Sequence, residues 1–244
     1  MARTRVVLNR PERPENIGAV ARVIANTGLD GLDLIAPGDW RTVESWRMAW
    51  RAEEFLEQAR VFDTLDEALG DAVYVAGFAG RTGMRVEPIT PREMADEIAS
   101  LDPEAPVGLV FGRESTGLTE KELSRCQRRV SIPSHPRQPS LNLAQSVMVA
   151  GYELFLTELT GLTKAKDETP GRQERAPYKH VERALVSLEE AFLEIRFLTP
   201  DNRAPRFAEW RELFGRAGLT PREVKLVLAL ARKLRNVGRI ANAN

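Results

Sequence analysis

Short continuous apolar runs alternate along the chain with stretches in which apolar residues recur at helical spacing. Residues 5–8 (RVVL) are the first run, and a loop with Pro11 and Pro14 follows. Asn16 then opens an amphipathic helix through Asn26, with Ile17, Val20, Ala21 and Ile24 on its inner face and Gly28 as terminator. Residues 32–35 read as a second strand closed by Pro37 and Gly38, and 43–59 as one long helix carrying Trp46, Trp50 and Phe55. A third strand over 72–76 ends at Gly77-Phe-Ala-Gly80. Thr90-Pro-Arg-Glu93 opens a further helix, with a capping hydroxyl, proline in first place and glutamate in third. The run 107–111 reads as a buried strand that turns sharply at Gly112, and a polar loop leads to a capping-box start at Thr119-Glu-Lys-Glu122. A strand over 129–132 meets Pro133, Pro136 and Pro139, which forbid regular structure. Asn142, with Gln145 three residues on, caps a helix bearing Leu143, Val147, Gly151, Leu154 and Phe155 on one face.

Strands alternating with helices predict an α/β domain over 1–159, built on a mostly parallel sheet covered on both faces. Residues 160–177, polar with glycine and proline, read as a linker. Beyond it, Val181, Leu185, Leu188, Phe192 and Ile195 form one helical stripe and Val224, Val227, Leu228, Ala231 and Leu234 another, with Phe207, Trp210 and Phe214 between. Residues 178–244 are thus a small all-α extension, and Thr220-Pro-Arg-Glu223 repeats the helix-start signature.

Charge changes this picture only locally. Lys+Arg and Asp+Glu are both 35 in a chain of 244, so no global field draws the protein to nucleic acid or membrane. Residues 201–244, however, carry ten basic side chains against four acidic ones. That excess is either a solvated helical face or an RNA-binding patch. One cysteine, Cys126, excludes internal disulfides, and with two histidines no Cys/His metal site is expected. The N-terminus lacks an apolar signal core and no apolar run is long enough to span a membrane, so a cytoplasmic protein is expected.

In an open α/β sheet, ligands bind beyond the carboxyl ends of the strands. The loops at 77–80, 112–119 and 132–142 lie there. The stretch 112–119 has the two-glycine spacing of a phosphate loop, but Leu118 stands where the phosphate-reaching lysine belongs, so nucleotide hydrolysis is excluded. Gly77, Gly80 and Gly83 do not make the dinucleotide fingerprint, and the serines near His135 form no nucleophile elbow. His135 reads as a loop surface residue, the Trp46/Trp50 pair as packing, and Arg22, taken by itself, as a solvent-facing side chain off the apolar stripe.

Three stretches together alter that weighting: Pro14-Glu-Asn-Ile-Gly-Ala-Val-Ala-Arg22 with Asn26-Thr-Gly28, Val110-Phe-Gly-Arg-Glu-Ser-Thr-Gly-Leu118, and Ile132-Pro followed by Ser140-Leu-Asn142. In this order and spacing they resemble the three motifs of SpoU/TrmH-type RNA ribose 2′-O-methyltransferases of the SPOUT superfamily, over residues 3 to about 158. The tail, through Ala176-Pro-Tyr178 and Leu219-Thr-Pro-Arg-Glu223, is similar to the TrmJ-like branch. The resemblance implies a C-terminal trefoil knot in the α/β domain and S-adenosylmethionine held by backbone groups at Phe78, Ala79, Gly80, Gly112, Ile132, Ser140, Leu141 and Asn142. Phe-Ala-Gly at 78–80 departs from the small hydroxyl residues common in that branch. It implies further that Arg22, Asn16, Glu114, Ser140 and Asn142 carry catalysis and that Arg22 works with the partner subunit's cofactor loop in a homodimer. The implied substrate is tRNA, methylated at the first anticodon-loop cytidine or uridine, with Arg22, Lys225, Arg232, Lys233 and Arg235 on the RNA. A ribosomal RNA ribose methyltransferase and a non-catalytic knotted RNA-binding protein are the alternatives.

Overall fold

The computed structural model describes residues 2–80, 87–164 and 174–243. Among them, β1 (Arg3–Asn9), β2 (Gly31–Ile35), β3 (Arg60–Phe62), β4 (Tyr74–Phe78), β5 (Pro106–Phe111) and β6 (Arg128–Val130) form one sheet in the order β3-β2-β1-β5-β4-β6. Every pairing is parallel. That accounts for the continuous apolar runs: consecutive residues Val6, Val7 and Leu8 are all buried, as a strand covered on both faces requires. The sheet lies in the first of two compact units, Met1–Arg172 and Gln173–Asn244.

Helix α1 (Pro14–Thr27) starts two residues ahead of the expected Asn16. Pro14 supplies a preset φ at its first position, and Arg13 at the cap makes no side-chain bond. Asn16 is therefore not a cap but a residue of the first turn, free to bond elsewhere. Gly28 ends the helix in the left-handed region at φ 69°, as read from sequence.

The single helix expected over 43–59 is two, α2 (Val43–Met48) and α3 (Glu53–Glu57). Arg51 between them has φ 64°, which no right-handed helix accommodates. The break buries Ala49 and Ala52 and turns Trp50 outward. After it come two elements the sequence pattern did not signal, β3 and α4 (Leu65–Leu69), both too short to show a period. Charge reinforces the backbone pairing of β3 with β2: the buried Asp33 carboxylate of β2 accepts from Arg5 of β1 at 2.7 Å and from Arg60 of β3 at 2.6 Å.

Helices α5 (Pro91–Ala99) and α6 (Glu120–Leu123) both carry the expected capping boxes. The third strand runs on to Phe78, so Gly77 and Phe78 belong to the sheet and not to the loop. A Cβ on Gly77 would press on the Cys126 sulfur, and Phe78 stacks on Phe111 with ring centroids 4.3 Å apart. Helix α7 (Leu143–Lys164) buries Leu143, Val147, Ala150, Gly151 and Leu154 and continues into the stretch read as linker; 165–173 lie outside the described residues. Gly151 is needed there, because a Cβ would crowd Thr27 of α1.

The second unit comprises α8 (Tyr178–Glu194), α9 (Arg203–Ala217) and α10 (Pro221–Ala243). Leu188, Phe192, Phe207, Leu219, Val224, Val227 and Ala231 form its core, with Phe192 against the rings of Phe197, Phe207 and Trp210. No helix among the described residues is long and apolar enough to cross a membrane.

Candidate active site at the strand ends

At the carboxyl ends of β1 and β5 the chain joins segments about a hundred residues apart through carboxylates and amides. The Glu114 carboxylate, just past β5, accepts from the Glu12 N–H at 2.9 Å, the Arg13 N–H at 3.2 Å and the Asn16 side-chain amide at 2.8 Å. The Asn16 carbonyl oxygen in turn accepts from the Asn142 amide at 2.9 Å. Asn142 also caps α7, its Oδ1 accepting from the Ala144 N–H at 2.9 Å. One residue, Asn16, thus ties the start of α1 to the loop after β5 and the start of α7. Its amide both donates and accepts, so its orientation is set from two sides.

Glu12 and Ser115 complete the tie in reverse: the Ser115 hydroxyl donates to the Glu12 carboxylate at 2.6 Å and the Ser115 N–H at 3.2 Å. Sequence reading missed both, and their separation of 103 residues leaves no local signal. Gly112 closes the loop between them. A Cβ there would land on the backbone of Gly117 and Leu118, so its absence makes room for the loop itself.

Beneath this layer, the buried Asn9 at the end of β1 donates to Glu122 at 2.6 Å. Burial opposes ionisation of Glu122. The Thr119 N–H, the Asn9 amide, the Thr119 hydroxyl and the charge of Arg113 outweigh it and hold the carboxyl below its usual range. Burial pushes the Cys126 thiol up to about 12, so it stands as an inert filler under Gly77.

Of the residues expected to meet a cofactor, Phe78 and Gly112 are buried at the strand ends, Ala79 and Ile132 are half-buried, and Gly80, Ser140, Leu141 and Asn142 are exposed. The Ala79 N–H donates to the Val130 carbonyl, joining the ends of β4 and β6, and Ser134 closes the proline-rich loop by donating to the Pro139 carbonyl at 2.7 Å. Arg22 lies two turns along α1 from Asn16, exposed, with its guanidinium 5.5 Å from the centre of the Trp50 ring. Among the described residues, no group of His, Cys, Asp or Glu could hold a metal ion.

In the second unit, Lys225, Arg232 and Lys233 are exposed on α10. Arg235 is engaged differently, donating to Glu190 and Glu194 of α8, each at 3.2 Å. Arg211 and Arg203 are likewise paired with Glu182 and Glu189.

Residues 3–152 match the SpoU rRNA Methylase family. The tRNA (cytidine/uridine/adenosine-2′-O-)-methyltransferase TrmJ of Pseudomonas aeruginosa (strain UCBPP-PA14) is 35% identical over 245 aligned positions, spanning 97% of this chain and 95% of that protein. The crystal structure of TrmJ from Z. mobilis ZM4 superposes with a TM-score of 0.80 at 29% identity, covering 95% of this chain and 98% of that one. A second solved structure, described as giving structural insights into the 2-OH methylation of C/U34 on tRNA, is 32% identical with a TM-score of 0.52. It covers 97% of its own length but 65% of this chain.

Proposed function

The chain belongs to the SpoU rRNA methylase family, and from that premise we propose that it transfers the methyl group of S-adenosylmethionine to a ribose 2′-hydroxyl of tRNA, as the TrmJ relatives' names describe for them. The observation that carries this reading is the chain of bonds from Glu114 through Asn16 to Asn142, which gathers all three motifs at the strand ends. With tRNA as substrate, the protein works in the cytoplasm.

The loop residues fit the cofactor. Among the described residues, chain neighbours aside, nothing lies within 4 Å of where a Cβ on Gly80 would stand, Ser140 and Leu141 are exposed, and Ile132 offers half-buried apolar surface. Ala79, Gly80, Ile132, Ser140, Leu141 and Asn142 would hold it, with Phe78 and Gly112 shaping the strand ends. When bound, S-adenosylmethionine supplies a methyl group activated by a sulfonium charge. The protein must then make a ribose hydroxyl nucleophilic, by removing its proton or by stabilising the charge that develops. Arg22 does the second: a guanidinium does not deprotonate, but it holds an alkoxide or the adjacent phosphate by charge-assisted bonds while the proton leaves to phosphate or water. Asn16, Glu114 and Asn142 fix the first turn of α1 and thereby the position of Arg22.

Three features extend the reading. The neighbour order β1-β5-β4-β6, with an irregular return over 131–142, supports a trefoil knot. Helix α7 packs on α1 and α5, and it leaves Tyr152 and Leu159 exposed one heptad apart; that supports a homodimer in which Arg22 serves the other subunit's cofactor loop. The exposed Lys225, Arg232 and Lys233 support tRNA backbone contacts by the helical extension that follows the catalytic domain, whose last helix runs on to Lys164. Arg235 is the weakest of the RNA-binding candidates, since its charge is already matched.

Unmodified tRNA incubated with the protein and S-adenosylmethionine should gain one ribose methyl group at the first anticodon-loop nucleotide, read by mapping 2′-O-methylation. Transfer to ribosomal RNA and not to tRNA would replace this reading with the one the family's own description favours.

A further inference from the structure

Trp50 has no part in the roles above. It is 53% exposed, while Trp40 is buried and Trp46 packs against the core. The residue stands at the tip of the turn between α2 and α3, and both flanking anchors, Ala49 and Ala52, are buried. The Ala52 N–H donates to the Ala49 carbonyl at 2.6 Å, and the Arg51 N–H donates to the Glu53 carboxylate at 3.1 Å. Arg51 keeps its left-handed φ of 64° inside this frame. A non-glycine residue holds such a conformation only where its surroundings demand it.

What the turn presents is the indole ring, and two guanidiniums lie over it, Arg22 at 5.5 Å from the centroid and Arg51 at 4.6 Å. Arg22 arrives there through the packing of α1 on α2. Gly18, one turn earlier on the same face of α1, would drive a Cβ into the Ser45 carbonyl. Without that Cβ the two helices approach closely, and the chain just past α2 comes beside Arg22. An exposed arginine on a helix samples many rotamers. A ring quadrupole under the guanidinium selects among them and leaves its edge N–H groups free to donate.

We propose that Trp50 is the positioning residue for Arg22, holding the guanidinium by cation–π contact in the orientation that meets the ribose or its phosphate. The proposal rests on the reading of Arg22 given above. It assigns to one exposed ring a role in the turnover rate, with none in cofactor binding.

The test compares Trp50→Phe, Trp50→Leu and Trp50→Ala in the full chain, each alone and in an Arg22→Ala background. Turnover on unmodified tRNA and affinity for S-adenosylhomocysteine are measured separately. Loss of the ring in Trp50→Leu and Trp50→Ala should lower kcat by roughly threefold to tenfold, the range a cation–π contact accounts for. Trp50→Phe should recover most of it, cofactor affinity should not move, and in the Arg22→Ala background the Trp50 changes should have no further effect. Trp50→Leu as active as wild type, or equal losses with and without Arg22, overturns the proposal while leaving Arg22 in place. If Arg22→Ala itself turns over at the wild-type rate, the underlying reading fails and takes the proposal with it.

Discussion

The strand-end site of the first unit and the helices of the second spend their charged side chains differently. In the first, the carboxylates at the strand ends are satisfied by neutral donors: Glu114 by two backbone N–H groups and the Asn16 amide, Glu122 by Asn9 and the Thr119 cap. Arg22, nearly two turns along α1 from Asn16, is left exposed over the Trp50 ring. In the second, the carboxylates of α8 take up Arg203, Arg211 and Arg235, and Lys225, Arg232 and Lys233 on α10 are among its exposed cations. Neutral donors fix geometry without drawing on Arg22, which suits a site where charge develops during reaction. Ion pairs between helices stitch a small core together, and the exposed Lys225, Arg232 and Lys233 present charge on one helix, which suits contact with an RNA backbone.

The sharpest way to break this contrast is at Arg22. Arg22→Ala should cut turnover by about a hundred- to thousandfold, the loss typical of one donor aimed at developing charge, with cofactor affinity unchanged by calorimetry. Equal losses in kcat and cofactor affinity would make Arg22 a structural residue. Next in size is the charge of the second unit. Replacing Lys225, Arg232 and Lys233 together by glutamine should weaken tRNA binding by roughly tenfold or more and lower the slope of log affinity against log salt by about 2 to 3. A slope unchanged in filter binding across a salt series would show that these side chains do not touch phosphate.

Asn16→Ala should lower turnover by about tenfold, since Glu114 and Asn142 each lose a partner, one of them charged. Asn16→Asp should be worse, because it sets a second carboxylate against Glu114; the reverse ranking in steady-state assays would count against the network. A smaller effect concerns pH. The Glu122 carboxyl sits below its ordinary value of 4.5, so it contributes stability at neutral pH that is lost as pH falls through its folded value. Melting temperature against pH should therefore fall more steeply below about pH 4.5 for wild type than for Glu122→Gln, and parallel curves would refute it. Arg235→Ala should do least, costing about 1 kcal/mol of stability as a half-exposed pair and leaving tRNA affinity alone. A loss of affinity matching that of the α10 triple variant would put Arg235 back on the RNA.

Much of this was legible in the chain itself. The capping boxes at Thr90, Thr119 and Thr220, the terminator Gly28 and the apolar runs of β1, β2 and β5 are local signals, decided within a few residues, and each appears where the sequence predicts it. The motif residues Asn16, Glu114 and Asn142 were likewise identifiable as types at a spacing. Tertiary structure alone decided what they do to one another: the bonds among them span 98 and 126 residues, and no local pattern encodes a partner that far away. The same holds for the division of 43–59 at Arg51 and for β3. The break is stabilised by burying Ala49 and Ala52, and β3 by a carboxylate on another strand. Helical spacing carried the period of this region through to 59. What ended the helix early was packing against the rest of the unit, which the period does not contain.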